Sequence, residues 1–137
     1  MKRRTKKQKF DDLADAIQCI REGKKVKRLR AKDGSIPTKP VVPCPYLPEH
    51  EVLGLCLGWL KKRKIFHNRM NNGTFEIGGR WCTYGIKGAG DILGIIPGGR
   101  HFEVEVKKGK GGKLSVAQQK RMQDVRANGG LYVIVHG

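Results

Sequence analysis

The stretch Asp91–Lys107, DILGIIPGGRHFEVEVK, decides how this chain folds. Two β-prone runs, DILGII and RHFEVEVK, flank the turn sequence Pro97-Gly98-Gly99, so the segment reads as a β-hairpin. With a three-residue loop, Ile96 faces Arg100 and Asp91 lies directly across from Glu105. A two-residue turn would instead set Glu105 against Ile92, and both registers are open. Side chains alternate faces along a strand, so the first register gathers Ile92, Ile96, Phe102, Val104 and Val106 on one apolar face. Asp91, Glu103, Glu105 and Lys107 share the other. Opposed carboxylates repel and weaken a sheet, and a divalent cation between them turns that liability into a binding site. Mg²⁺ takes one or two carboxylates together with waters and phosphate oxygens. Lys107, two residues after Glu105, projects to the same side, where its ammonium can meet a phosphate. The competing reading is a solvated face of ordinary charged residues, which is how most E-x-K pairs arise.

Working outward, Gly88-Ala89-Gly90 forms a glycine-rich approach to Asp91, and Pro48 opens a helix to roughly Arg63 with the ridge Val52, Cys56 and Trp59/Leu60 facing inward. Residues 64–84 hold one or two short strands around the Asn71-Asn72-Gly73 turn. After the hairpin comes a Gly/Lys-rich loop, KKGKGGK. Ser115 then caps a helix to about Ala127, closed by Asn128-Gly129-Gly130, and LYVIV reads as a final buried strand. The order helix, two or three antiparallel strands, helix, strand predicts an α/β fold. Ahead of it, residues 1–9 read as a basic arm, disordered when free. Residues 11–22 read as a short helix with the stripe Leu13, Ala16, Ile17 and Ile20. A second basic run, KKVKRLRAK, and an extended proline-rich stretch from Ile36 to Pro48 follow. A boundary near residue 40 separates a basic N-terminal arm with a short helix (1–40) from a folded domain (41–137).

The charge balance says what kind of partner to expect. The chain carries 29 Lys+Arg against 12 Asp+Glu, a formal net charge of +17, which favours a polyanion, nucleic acid first. Residues 1–40 contribute fourteen Lys/Arg and five Asp/Glu, a net +9. An acidic membrane surface would call for a basic amphipathic helix, and none stands out. The basic start runs into Asp11 and Asp12 rather than an apolar stretch, so no signal peptide is read. The run Val52–Leu60 is too short to span a bilayer, which needs ~20 residues. The expectation is a soluble, cytoplasmic protein. Cys19, Cys44, Cys56 and Cys82 are scattered without a C-x-x-C pair and read as free thiols rather than a zinc site. GKGGK lacks the spacing of a phosphate-binding P-loop. No histidine set has metal-ligand spacing, so His67 and His101 read as surface or structural residues.

The segment GAGDILGI, followed by EVEVKKGKGGKLSVAQ, a helix ending in NGG and an apolar strand, resembles the virus-type replication-repair nuclease domain, VRR-NUC, a branch of the PD-(D/E)xK nucleases. The similarity runs from about Pro48 to Val135, and its specificity lies in the ordered combination G-x-x-D, E-x-K and S-x-x-Q. The resemblance implies a restriction-endonuclease-like core. In that core Asp91 and Glu105 are metal ligands, the carbonyl of Val106 completes the set, and Lys107 is the catalytic lysine. The family's acidic residue at the start of the first helix fits Glu49, with Val52, Cys56 and Leu60 following it; Glu51 is the fallback. Gly90 departs from the pattern, standing where the family usually has Pro. Gln118 belongs to the family motif near the active site, yet Ser115-x-x-Gln118 is also a capping box, and the two roles are compatible.

The resemblance further implies phosphodiester hydrolysis of DNA with Mg²⁺ or Mn²⁺ as cofactor, structure-selective for branched or four-way-junction DNA, in a homodimer from a phage or bacterial source. Arg69, Asn71 and Asn72 resemble the family's R-x-N segment and are candidates for DNA contact, against the plainer reading of a polar turn. Lys87, and Lys108, Lys110 and Lys113 of the glycine-rich loop, suit phosphate contacts, so binding should weaken steeply with salt. The alternative from a different class is a non-catalytic basic nucleic-acid-binding protein with a nuclease-like fold. A sequence-reading restriction-type endonuclease is a third option.

Overall fold

The computed structural model describes residues 5–24, 26 and 33–137. The chain divides into two compact units, Met1–Ala31 and Lys32–Gly137. The first holds one helix, α1 (Lys6–Arg21), none of whose residues is buried. It begins at Lys6 rather than near Asp11, which corrects the expectation of disorder for the part of the basic arm that is described. The cause is local: Thr5 accepts the Gln8 amide and Gln8 reaches back to the Thr5 amide, a full capping box. Residues 1–4 and most of the second basic run lie outside the described residues.

The second unit is a mixed α/β fold. Its elements are β1 (Ile36–Pro37), α2 (Glu49–Lys62), β2 (Phe66–Arg69), β3 (Gly73–Ile77), β4 (Arg80–Tyr84), β5 (Ile92–Ile96), β6 (Arg100–Lys107), β7 (Lys113–Leu114), α3 (Val116–Ala127) and β8 (Leu131–His136). Four strands form the central sheet in the order β2-β5-β6-β8, with β6 and β8 parallel and the other pairs antiparallel. The β5–β6 register sets Ile96 against Arg100 and Ile92 against Val104, the three-residue-loop arrangement. The proline-rich stretch is tied to this unit because Ile36 and Pro37 pair with Leu114 and Lys113.

The alternation of β6 divides the molecule into layers. Phe102, Val104 and Val106 face the same side as Ile92 and bury against Val52 and Leu60 of α2, with Cys56 and Leu57 packed around them. Burying side chains of this size contributes about 1.5–3 kcal/mol each. Glu103, Glu105 and Lys107 face the other side, toward α3. They are not a solvated row: their exposures are 0%, 3% and 8%.

Two expectations need correction. Asn71-Asn72-Gly73 does not turn a hairpin, because β2 pairs with β5 instead. The hairpin in this region is β3–β4, and it turns at Gly78-Gly79, whose φ angles of +57° and +75° are the left-handed values a two-residue turn demands. The last strand is also less buried than LYVIV suggests. As the sheet's edge it buries only Tyr132 fully and leaves Val133 exposed. Among the described residues no helix is long and apolar enough to cross a membrane.

Candidate active site

The candidate site sits at the open end of the β5–β6 hairpin. Asp91 immediately precedes β5 and is half-buried. Its Oδ2 accepts the Val106 amide at 2.7 Å, and its carbonyl accepts the Met70 amide at 2.8 Å. Side chain and main chain are thus both fixed. In a strand the N–H and C=O of one residue point toward the same neighbour, so the Val106 carbonyl is also turned toward the Asp91 side. Glu105, one residue earlier on β6, is buried. Its Oε1 accepts from Lys107 Nζ at 2.7 Å and from Gln118 Nε2 at 2.6 Å, and its Oε2 lies 3.4 Å from the Tyr132 hydroxyl. Burial pushes the Glu105 carboxyl up to about 7. The hydrogen bond from Lys107 works against that rise, and the nearby Asp91 carboxylate reinforces it. The same Asp91 charge acts on Cys56 of α2, whose thiol burial already raises.

Glu103 carries the same formal charge in a different setting. Although fully buried, it accepts the Gly90 amide at 2.9 Å, His101 Nε2 at 3.0 Å and the Arg121 guanidinium, whose Nε donates at 2.9 Å. Burial opposes its charge, yet the bonds from Arg121, Gly90 and His101 outweigh burial and hold the carboxyl below its ordinary value. The Gly90 bond also explains why glycine rather than proline stands before Asp91. A Cβ at position 90 would come within 2.8–3.0 Å of the Val104 backbone, and a proline would remove the N–H that Glu103 accepts.

The structure brings together Asp91, Glu105, Val106, Lys107 and Gln118, and it leaves Glu49 out. Glu49 opens α2 and is exposed, as is Glu51. A residue of that helix within electrostatic reach of Asp91 is Cys56, seven positions and therefore roughly 10 Å further along the axis than Glu49. Among the described residues no group of three or more His, Cys, Asp or Glu side chains could hold a metal. The oxygen donors available are the carboxylates of Asp91 and Glu105 and the Val106 carbonyl, hard donors of the kind Mg²⁺ and Mn²⁺ accept. Gln118 makes two sets of contacts at once: its Oε1 caps α3 at Ser115 while its Nε2 holds Glu105.

The candidate phosphate contacts are spread around this centre. Arg69 ends β2 opposite Ile92, next in sequence to Asp91, and is exposed. Asn71, Lys87 and Lys108 are exposed, while Asn72 donates to the Ile86 carbonyl at 3.2 Å. Two of the loop lysines have protein partners: Lys110 lies 5.2 Å over the Tyr46 ring, and the charge of Lys113 acts on Asp33. His101 and His67 are structural, the latter through Nδ1 to the Ile65 carbonyl at 2.7 Å. All four cysteines are free.

Sequence reasoning missed two members of the cluster, Arg121 and Tyr132. Glu103 was legible as a face-mate of Glu105, but its partner Arg121 lies 18 positions away. Tyr132 reads as one apolar residue among several in LYVIV, and its hydroxyl was the available signal. Burial and the surrounding carboxylates raise that phenol, so it stays neutral, 3.2 Å from the Gly88 carbonyl. Comparison with known proteins adds nothing to this geometry: no family model, no curated protein and no solved structure matches the chain.

Proposed function

We propose that the chain is a metal-dependent nuclease of the PD-(D/E)xK type, similar to VRR-NUC domains, that hydrolyses DNA phosphodiester bonds and prefers branched DNA. One observation carries the reading. On a chain of net charge +17, a buried carboxyl held up to about 7, a second carboxylate and a lysine meet at one end of a hairpin. A fold gains little by burying Glu105 and Lys107 for stability alone, because desolvation offsets the Coulombic gain of such a pair. Perturbed carboxylates of this kind concentrate at functional sites.

Asp91, Glu105 and the Val106 carbonyl would hold Mg²⁺ or Mn²⁺, which when bound supplies a polarised phosphate oxygen and an activated water. Lys107 orients the attacking water or takes its proton and neutralises charge on the phosphate. Gln118 fixes the rotamer of Glu105, and Asp91 is held by the Val106 amide. Arg69, Lys87 and Lys108 stand ready to contact flanking phosphates. A homodimer presenting two such sites would suit a substrate with two strands to cut.

The test is cleavage of end-labelled four-way junction, flap, single-stranded and duplex DNA in Mg²⁺ and Mn²⁺, with Glu105→Gln as control. Cutting by the wild type alone supports a nuclease at this site, and the preferred DNA names its role. Tight binding in EDTA with no cutting in either metal refutes it and leaves a non-catalytic nucleic-acid-binding protein.

A further inference from the structure

Beside Glu105 lies a cleft of about 490 Å³ that the hydrolytic chemistry leaves unused. One wall is the β3–β4 hairpin and the other is the first turn of α3. Asn72, Thr74, Thr83, Tyr84, Lys87 and Gln118 are among its lining residues. Gln118 joins cleft and site directly, because the same side chain donates to Glu105 at 2.6 Å. Three properties describe the occupant. First, among the described residues no carboxylate lines the cleft and one ammonium does, so an anion is accepted. Second, the polar groups are hydroxyls and amides, which both donate and accept and suit the edge of a base. Third, the Tyr84 ring is half exposed yet held in place. It packs 6.0 Å from Phe75 at 44° and lies so close over Gly73 that a Cβ there would come within 2.7–3.1 Å of its atoms. A fixed, accessible aromatic face is what a base stacks on. The volume is that of a small-ligand pocket, too narrow for a double helix.

We infer that this cleft is a subsite for a single unpaired nucleotide next to the scissile phosphate, with Tyr84 stacking on the base and Lys87 meeting its phosphate. The inference deepens the nuclease reading and rests on it. It makes the substrate one with an unstacked base, such as a bulge, a flap or a junction centre, rather than continuous duplex.

The experiment uses the full chain in EDTA, so that binding is read without cutting. Fluorescence anisotropy compares a labelled duplex with the same duplex carrying a one-nucleotide bulge, and 2-aminopurine at the bulge reports stacking. The wild type should prefer the bulged DNA and quench its 2-aminopurine. Tyr84→Ala should weaken bulge binding about five- to 150-fold, the range expected for one stacked base, abolish the quench, and change duplex binding less than twofold. Tyr84→Phe should keep both signals, and Lys87→Ala should weaken bulge binding while sparing the quench. Equal wild-type affinity for the two DNAs, equal losses on both, or a Tyr84→Ala chain that changes its oligomeric state would overturn the inference, the last marking the cleft as an interface between copies. A quench without Mg²⁺-dependent cutting by the wild type would sink the nuclease reading and keep the nucleotide cleft; cutting without the quench would do the reverse.

Discussion

Arg121→Met removes the cation that faces Glu103, and its cost follows from what stays behind. Glu103 is 0% exposed. It would keep the Gly90 amide at 2.9 Å and His101 Nε2 at 3.0 Å but lose both bonds from the guanidinium. Breaking a buried pair by removing one partner costs about 3–5 kcal/mol, because a charge is left uncompensated. The Arg121 side chain is 28% exposed and two other donors remain, so the lower end, about 3 kcal/mol, is expected. For a folded unit of this length that is a fall in Tm of about 12–15 °C. Replacing the stranded charge as well, in Glu103→Gln/Arg121→Met, should recover at least half of the loss, since glutamine still accepts the Gly90 amide. The pH sign follows from the lowered carboxyl of Glu103. Its pairing stabilises the fold above the ordinary value of 4.5 and is lost as pH falls through the lowered value, so the Arg121→Met penalty should shrink in acid. Thermal melts of the wild type, both single variants and the double variant at pH 7 and pH 4 supply the full cycle. A single-variant loss below about 1 kcal/mol, or a double variant no more stable than Arg121→Met, would refute the account of Glu103 as a carboxylate held by Arg121.

Four other outcomes are expected. Glu105 has the opposite sign: its carboxyl is raised from 4.5 to about 7, so its contribution is present below 4.5 and lost as pH rises through 7. The loss is at most about 3 kcal/mol, and melts in EDTA from pH 4.5 to 8 should show it in the wild type and not in Glu105→Gln. Mg²⁺ uptake below pH 7 should release protons and weaken as pH falls, which calorimetry in buffers of different ionisation enthalpy reads; binding that ignores pH and survives Glu105→Gln would place the cation elsewhere. Gly90→Pro should lower stability by about 1–3 kcal/mol, because it crowds the Val104 backbone and deletes the amide Glu103 accepts; a neutral result in denaturant melts would remove that loop from the network. DNA affinity should fall as a power of salt concentration with a slope near −0.9 per phosphate contacted, and a salt titration with a flat response would leave the +17 charge without a nucleic-acid role.

The parts of this molecule legible in its sequence are those set by neighbours along the chain. Pro97-Gly98-Gly99 marked the β5–β6 turn and left two registers open, Ser115 and Gln118 marked the start of α3, and Pro48 marked the start of α2, all within a few residues. Burial of the Glu105 face was not legible, because E-x-K looks the same whether water or a helix covers it. What covers it is α3, brought back by the parallel β6–β8 crossover, and the Arg121 and Tyr132 contacts span 18 and 27 positions. The Asn71-Asn72-Gly73 signal misled for the same reason: β2 finds its partner across the sheet in β5, and the local turn chemistry of Gly78-Gly79 supplied the hairpin. Glu49 rested on the resemblance, by its spacing to Val52, Cys56 and Leu60, and that spacing could not tell that Cys56, two turns further along, is the residue near Asp91.

The contrast between Glu103 and Glu105 argues for a site more strongly than either residue alone. They stand two positions apart on one strand, face the same helix and are equally cut off from water. Were this face only a structural ion network, both carboxylates should be satisfied in the same way. Instead the fold commits a guanidinium, a main-chain amide and an imidazole to Glu103 and holds it charged, while Glu105, with Lys107, Gln118 and the Tyr132 hydroxyl against it, faces a second carboxylate and is pushed up to about 7. Neighbouring titratable groups whose environments drive them apart divide labour. Glu103 ties the Gly88–Asp91 approach to α3, and that tie keeps Asp91 in register with Val106. Glu105 stays raised beside the Asp91 carboxylate despite its bonds from Lys107 and Gln118, a condition that an added cation would relieve.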